Sequence, residues 1–345
     1  MTKYSIVVPV YNRPDEVEEL LESLTRQELK NFDVVIVEDG SSIPCKEICD
    51  KYSGQLEIHY YDKPNEGPGQ SRNYGVDRAR GEYVIILDSD VVLPEGYLKS
   101  IDKELADNPC DAFGGPDRAH PSFTKIQKAI SYSMTSFFTT GGIRGGKKKL
   151  DKFYPRSFNM GLRHDVYDKL GGFSNMRFGE DIDFSIRVIK GGYKCRLFPE
   201  SWVWHKRRTD FKKFFRQVFN SGIARINLHK RHPGSLKLVH LLPAVFTIGT
   251  SALVLCAVVG ILLSFFLGAK WLWLTVAALA PLLLYSLIIA FDAKKQFGSW
   301  WIGCLSVIAA YIQLLGYGSG FLTAWWKRCI KGQDEFHAFS KTFYK

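Results

Sequence analysis

The sequence predicts an α/β domain built on a mainly parallel sheet, followed by an amphipathic helix and C-terminal transmembrane helices. Three observations carry that prediction. The first hundred residues alternate short apolar runs with helical patterns, the order of a parallel sheet joined by crossover helices. Further on, Phe211, Phe214, Phe215, Val218 and Phe219 interleave with Lys212, Lys213 and Arg216 at helical spacing. Between Leu241 and Trp326 only Lys270, Asp292, Lys294 and Lys295 carry charge, the composition of segments solvated by lipid. The 345 residues divide on this reading into an α/β domain at 1–208, a basic interfacial helix and linker at 209–240, a membrane region at 241–326 and a polar tail at 327–345.

The strands are expected near Tyr4–Val10, Phe32–Glu38, Leu56–Tyr61 and Tyr83–Leu87. Val17, Leu20, Leu21 and Leu24 recur at helical spacing behind Pro14 and an acidic first turn, so the first crossover is an amphipathic helix. Gly67-Pro68-Gly69 forces a turn, and another helix should open near Gly69. Ligands of such sheets bind at the carboxyl ends of the strands. There the chain places Asn12 and Arg13 after the first strand, Glu38, Asp39 and Gly40 after the second, and Asp88 and Asp90 after the fourth. Each has a plain reading as turn former or cap; three such loops on one rim favour a site. Asp88-Ser89-Asp90 in particular offers two carboxylates of the kind that hold Mg²⁺ or Mn²⁺ while substrate phosphates fill the other positions. The substrate that fits is a nucleotide diphosphate.

Glu180 and Asp181 follow a glycine turn and open a helix whose apolar face should carry Ile182, Ile186 and Ile189. These acids either complement the helix dipole or present a carboxylate into a cleft. After the strand-like Cys195–Phe198, His205 follows Trp202-Val203-Trp204; it is a metal ligand, a phosphate contact or a buried structural residue. The stretch Gly141–Lys149 reads as a basic loop, solvated or closing on an acceptor.

The formal net charge of +11 is concentrated between residues 190 and 240, where thirteen Lys or Arg face Glu200 and Asp210. A basic block beside hydrophobic spans fits a cytoplasmic juxtamembrane surface against anionic lipid, and without a nucleic-acid-binding motif it does not indicate a nucleic-acid partner. Seven scattered cysteines complete no zinc site and read as reduced thiols. The apolar run from Tyr4 to Val10 is too short for a signal peptide, so the α/β part is expected in the cytoplasm. Leu241–Gly268, Trp271–Ala290 and Ser299–Ala324 are each long enough to cross a bilayer. Two crossings return Lys294 and Lys295 to the inside, but a third puts Lys327, Arg328, Lys331, Lys341 and Lys345 outside, against the positive-inside rule. The glycines of Gly316-Tyr317-Gly318-Ser319-Gly320 offer a way out, a broken or re-entrant third segment.

Taken in order, Val7-Val8-Pro9-Val10-Tyr11-Asn12, Val37-Glu38-Asp39-Gly40-Ser41-Ser42, Gly67-Pro68-Gly69-Gln70-Ser71-Arg72-Asn73, Asp88-Ser89-Asp90 and Gly179-Glu180-Asp181 resemble family 2 glycosyltransferases of the GT-A fold. The likeness is to bacterial membrane-anchored members that act in surface polysaccharide assembly, and it covers about residues 3 to 230. It implies a nucleotide-diphosphate sugar donor, with Pro9, Tyr11, Glu38, Asp39 and Arg72 bordering the nucleotide and Asp39 recognising the base. It further implies that Asp88 lies near ribose and metal, that Asp90 is the main metal ligand, and that Asp181 is the general base of an inverting transfer, with Glu180 as its alternative. Arg207 and Arg208 then suit the diphosphate leaving group. Gln217 falls where processive relatives carry Gln-x-x-Arg-Trp, but Gln217-Val218-Phe219-Asn220-Ser221 lacks the Arg-Trp, so a single-sugar transferase is expected ahead of a processive synthase or a non-catalytic scaffold. The acceptor expected at the cytoplasmic face of a bacterial inner membrane is a polyprenyl-diphosphate-linked sugar, beside membrane lipid.

Overall fold

The structure, a computed structural model, describes residues 2–140 and 153–339. The basic stretch at 141–149 therefore lies outside the described residues, as do Lys341 and Lys345. The chain forms two compact units, one of residues 1–121 with 149–206 and one of residues 122–148 with 207–345. Among the described residues, 122–140 group with the C-terminal helices.

In the first unit β1 (Tyr4–Val10), α1 (Pro14–Thr25), β2 (Phe32–Asp39), α2 (Lys46–Tyr52), β3 (Ile58–Lys63), α3 (Pro68–Val76) and β4 (Tyr83–Leu87) alternate as expected. β3 starts two residues later than its apolar run suggests, because the Leu56 N–H still closes α2 on the Tyr52 carbonyl. Next come β5 (Val91–Val92), α4 (Tyr97–Asp107), β6 (Ala112–Gly114) and β7 (Asp117–Arg118). After the second unit's α5 (Lys125–Thr135) and α6 (Phe137–Thr140), the first resumes with β8 (Asn159–Arg163), α7 (His164–Leu170), α8 (Glu180–Lys190), β9 (Cys195–Leu197) and β10 (Val203–His205). The main sheet has the order β3-β2-β1-β4-β8-β6-β9, parallel from β3 to β4, with β8 antiparallel to both its neighbours. Side chains alternate across it: Ile6, Val8, Val34 and Ile36 join the core under α1 and α4, while Val7, Val35 and Val37 join that under α3 and α8. Gly75 keeps α3 close to the sheet, since a Cβ there would lie 2.5 Å from Val7 Cγ1.

A small sheet, β5-β10-β7, stands at the carboxyl end of β4. Its register sets His205 opposite Val91, one residue beyond Asp90. In α8 the buried face is carried by Phe184 and Val188, with Ile186, while Ile182 and Ile189 are half-buried. Phe184 turns inward because Phe173 and Tyr167 form an aromatic cluster with it, at 4.9 and 5.2 Å between ring centroids.

The second unit adds α9 (Phe211–Arg231), α10 (Leu242–Leu267), α11 (Leu272–Phe297) and α12 (Trp300–Ala324) to α5 and α6. The last three are long and apolar enough to cross a membrane. α11 continues beyond Ala290, since Asp292 to Lys295 do not break a helix, and ends at Gly298 in the left-handed region. The apolar stripe of α9 is spent on protein: Phe214 and Val218 are buried in one cluster with Ala129, Ile130 and Met134 of α5 and Ala309 of α12. Lipid is therefore not needed to cover that stripe, although Phe215, Lys212 and Lys213 remain exposed.

Candidate active site

The rim at the carboxyl ends of β1, β2 and β4 collects the charged residues of the first unit. Asn12, at the end of β1, has φ +53 and acts as a turn former, its side-chain oxygen accepting from Ser42 Oγ at 3.1 Å and the Ile43 N–H at 3.0 Å. Pro9 and Tyr11 sit half-buried beside it. On β2, Glu38 accepts from the Ser41 hydroxyl, from the Cys45 N–H at 2.9 Å and from Tyr60 Oη at 3.3 Å, so it fastens the loop after β2. Asp39 accepts from the Glu66 and Gly67 N–H groups, both at 2.9 Å, and from Lys63 Nζ at 3.0 Å. Gly67, with φ +95, can present its N–H to Asp39 while opening α3.

Arg72 on α3 is the centre of the rim. Its side chain is buried, with Nη2 donating to Asp88 Oδ1 and Nη1 to Glu180 Oε1, each at 2.8 Å. Burial opposes its charge, but Asp88 and Glu180 hold it protonated. Glu180 and Asp181 occupy the first turn of α8, behind Gly179 in the left-handed region. Burial pushes the Glu180 carboxyl up to about 7 against the pull of Arg72. Asp181 is equally buried, which raises its pKa, yet the Arg156 guanidinium holds it below the usual carboxylate range. Arg156 Nε donates to Asp181 Oδ2 at 2.6 Å, and the Ile182 N–H donates to Oδ1 at 2.8 Å. Neighbouring carboxyls are thus set to different proton affinities, the arrangement from which acid–base roles are made.

Asp88, Asp90 and His205 each offer one ligand atom, and these lie within 4.8 Å of one another. His205 Nε2 is 3.3 Å from Asp90 Oδ1, Arg13 Nη1 is 2.6 Å from Asp90 Oδ2, and the Lys206 N–H donates to the Asp90 carbonyl at 3.1 Å. The His205 ring stacks on Phe158 at 4.9 Å, and its Nδ1 lies 3.8 Å from Asp117 Oδ2. Two carboxylate oxygens and an imidazole nitrogen at this spacing fit Mn²⁺ or Mg²⁺.

The structure thus joins Arg72, Asp88 and Glu180 in one chain of ion pairs and Asp88, Asp90 and His205 in one donor cluster. Arg207, Arg208 and Gln217 belong to the second unit, where Arg207 is buried with its carbonyl accepting from Gln127 at 3.0 Å, and Arg208 and Gln217 are half-buried. Sequence reasoning misses Arg156 and Asp117, because each finds its partner across tens of residues and neither sits in a patterned segment. Pro155 supplies the link: its carbonyl accepts from Ser185 Oγ at 2.6 Å and pins the segment to α8.

Residues 5–171 match glycosyl transferase family 2. The chain carries a family 2 glycosyl transferase domain. An uncharacterized glycosyltransferase of Rickettsia felis is 33% identical over 144 residues, 41% of this chain and 23% of that protein. Poly(ribitol-phosphate) beta-N-acetylglucosaminyltransferase TarS of Staphylococcus aureus is 36% identical over 103 residues, 29% of this chain and 18% of that protein. The matches thus span under a quarter of either relative's length. The solved mannosyltransferase PcManGT from Pyrobaculum calidifontis, in complex with GDP-Man and Mn²⁺, shares the fold with a TM-score of 0.54 at 17% identity, over 91% of this chain and 87% of that one. The family 2 match includes Arg72, Asp88 and Asp90 and stops before Glu180, Asp181 and His205, whose place in the site is given by geometry.

Proposed function

We propose that the protein is a membrane-bound inverting glycosyltransferase that moves a sugar from a nucleotide diphosphate to a hydroxyl of a lipid-linked acceptor, in the assembly of cell-surface polysaccharide or glycolipid. The observation that carries the reaction type is the pairing of the Asp88–Asp90–His205 donor cluster with a separate buried carboxylate pair, linked through Arg72. The TarS likeness supports a surface glycan, and the three apolar helices support an acceptor at the membrane.

Asp88, Asp90 and His205 would hold Mg²⁺ or Mn²⁺, which supplies charge to bind and neutralise the diphosphate. Asp181, kept ionised by Arg156, takes the acceptor hydroxyl proton on Oδ as that oxygen bonds to the anomeric carbon. The bond from that carbon to the diphosphate breaks on the opposite face, and its electron pair stays on the leaving phosphate oxygen. Arg72 fixes Asp88 and Glu180 relative to each other, so donor and acceptor sides share one guanidinium. Pro9, Tyr11 and Asp39 border the nucleotide in this reading, with Asp39 acting on the base through the loop it braces at Glu66 and Gly67.

The test is a panel of nucleotide sugars with the purified full-length chain and a polyprenyl-diphosphate sugar, read as release of nucleotide diphosphate. At least one donor should turn over with Mn²⁺ or Mg²⁺ and fall silent in EDTA and in Asp90→Ala. Turnover by Asp90→Ala in EDTA at the unmodified rate would defeat the reading.

A further inference from the structure

α12 is apolar and 25 residues long, enough to cross a bilayer, yet its neighbours are not those of a spanning helix. α10 and α11 form a hairpin whose far end is closed by Ala257 and Gly260 of α10 against Trp271, just before α11, and Thr275 of α11. α12 joins this hairpin from the other end. Gly303 packs on the Ala290 carbonyl, and Tyr311 Oη donates to the Leu282 carbonyl at 3.1 Å. A third span would then climb beside α10, meeting residues deeper by one for each residue of its own. Instead, Leu314 meets Thr247, and Gly318, four residues later, meets Pro243 and the same Thr247. Phe321 and Ala324 share a cluster with Ala244. α12 therefore passes across the first turns of α10 rather than along it.

Its remaining length runs beside the basic helix α9, in the same direction. Gly316 packs on Phe215 and Val218, Gly320 on the Phe219 carbonyl, and Gly222 of α9 on the Tyr317 carbonyl. Just beyond α12, Arg328 Nη1 donates to Asn227 Oδ1 at 2.7 Å. The chain then folds back along α9. Glu335 accepts from Arg231 at 3.0 Å, the Phe336 carbonyl from Asn227 at 3.1 Å, and Ala338 exchanges two hydrogen bonds with Asn220 at 2.8 and 3.1 Å. Arg231, at the end of α9, is eleven residues before the start of α10. A helix lined by Lys212, Lys213, Lys230 and Arg231 cannot lie in hydrocarbon, and neither can an irregular tail whose backbone must find polar partners.

We propose that α12 does not cross the bilayer, that the α10–α11 hairpin alone spans it, and that the tail stays on the side of α9. α12 and α9 then form a layer at headgroup depth, where the exposed Trp300, Trp301, Trp325 and Trp326 and the exposed lysines of α9 meet anionic lipid. Tryptophans at both ends also suit a spanning helix, so they do not decide the matter; the contacts with Pro243, Thr247 and the tail do. An even number of crossings also returns Lys327, Arg328 and Lys331 to the side of Lys294 and Lys295, as the positive-inside rule asks.

The test replaces the exposed Cys256, Cys304 and Cys329 by serine in the full chain, then adds single cysteines at Lys213, Lys270 and Gln333. Sealed membrane vesicles of known orientation are treated with a membrane-impermeant maleimide before and after permeabilisation. Gln333→Cys should label near completion from the side that labels Lys213→Cys, and stay at background from the side that labels Lys270→Cys. Labelling of Gln333→Cys from the Lys270→Cys side would make α12 a third span and overturn the proposal.

Discussion

The first unit hides charge, and the hairpin of the second displays hydrocarbon. Arg72, Glu180, Asp181 and Asp183 are all under a tenth exposed, whereas Leu255 on α10 and Trp273 on α11 are 65% and 76% exposed. The buried ions of the rim are paired, so in water the hairpin is the anomalous region of the two. Burying ions costs several kcal/mol each unless they are paired, and baring large apolar side chains to water forfeits roughly 1.5–3 kcal/mol apiece. The contrast is the one expected of a rim that uses its buried ions for a task and of a hairpin, long and apolar enough to cross a membrane, with lipid around it. Both halves of that statement can be broken separately.

The largest effect should come from the buried acids. Asp181→Asn keeps the volume and the contact with the Ile182 N–H but removes the proton acceptor, so turnover should fall about 10²–10⁴-fold with donor binding retained. A loss of that size in Glu180→Gln alone, with Asp181→Asn near normal, would move the base by one residue.

Next in size is a charge placed on the displayed hydrocarbon. Leu255 is near the middle of α10, and Leu255→Lys should cost about 2.5–3.5 kcal/mol of insertion, seen as a smaller fraction of protein recovered in washed membranes. If the helix faced water, the same change would leave membrane recovery unaltered or improve solubility.

How much of this contrast can be read from sequence depends on the range of the interactions. Strands β1, β2 and β4, the carboxylates at their ends and the three apolar helices announce themselves locally, through apolar runs, glycine turns and charge density. Pairings across the chain do not. That His205 stands beside Asp90 follows from β10 lying on β5, two short strands more than a hundred residues apart. That Arg156 holds Asp181 follows from a segment with no periodicity. Residues 122–140 leave the first unit without any composition change to mark it, because α5 is as polar on one face as a helix of a soluble domain. The buried face of α8 departs from the isoleucine pattern for a related reason: that spacing ranks hydrophobicity, while the aromatic cluster around Phe184 ranks fit.

The smallest expected effect concerns stability and tests how the buried acids are kept. Glu180 has an ordinary value of 4.5 that burial lifts to about 7 in the folded chain. Between those values the native state retains a proton that the unfolded state has lost, so stability should fall as pH rises from about 4.5 to 7 and level off above. A tenfold change in proton affinity is worth about 1.4 kcal/mol, so the rise to about 7, with the pull of Arg72 already in it, bounds the contribution at roughly 3–4 kcal/mol. Asp181 is held below its ordinary value, so its own contribution has the opposite sign and sits at more acidic pH. Glu180→Gln fixes the neutral form and should remove the decline specific to this residue while leaving the Asp181 contribution in place. Thermal melts of the detergent-solubilised chain and of Glu180→Gln at pH 5, 6, 7 and 8 measure the difference directly. Curves that run parallel over the whole range would show Glu180 to be ionised throughout, and the buried acids would then be held by Arg72 and Arg156 as two full ion pairs.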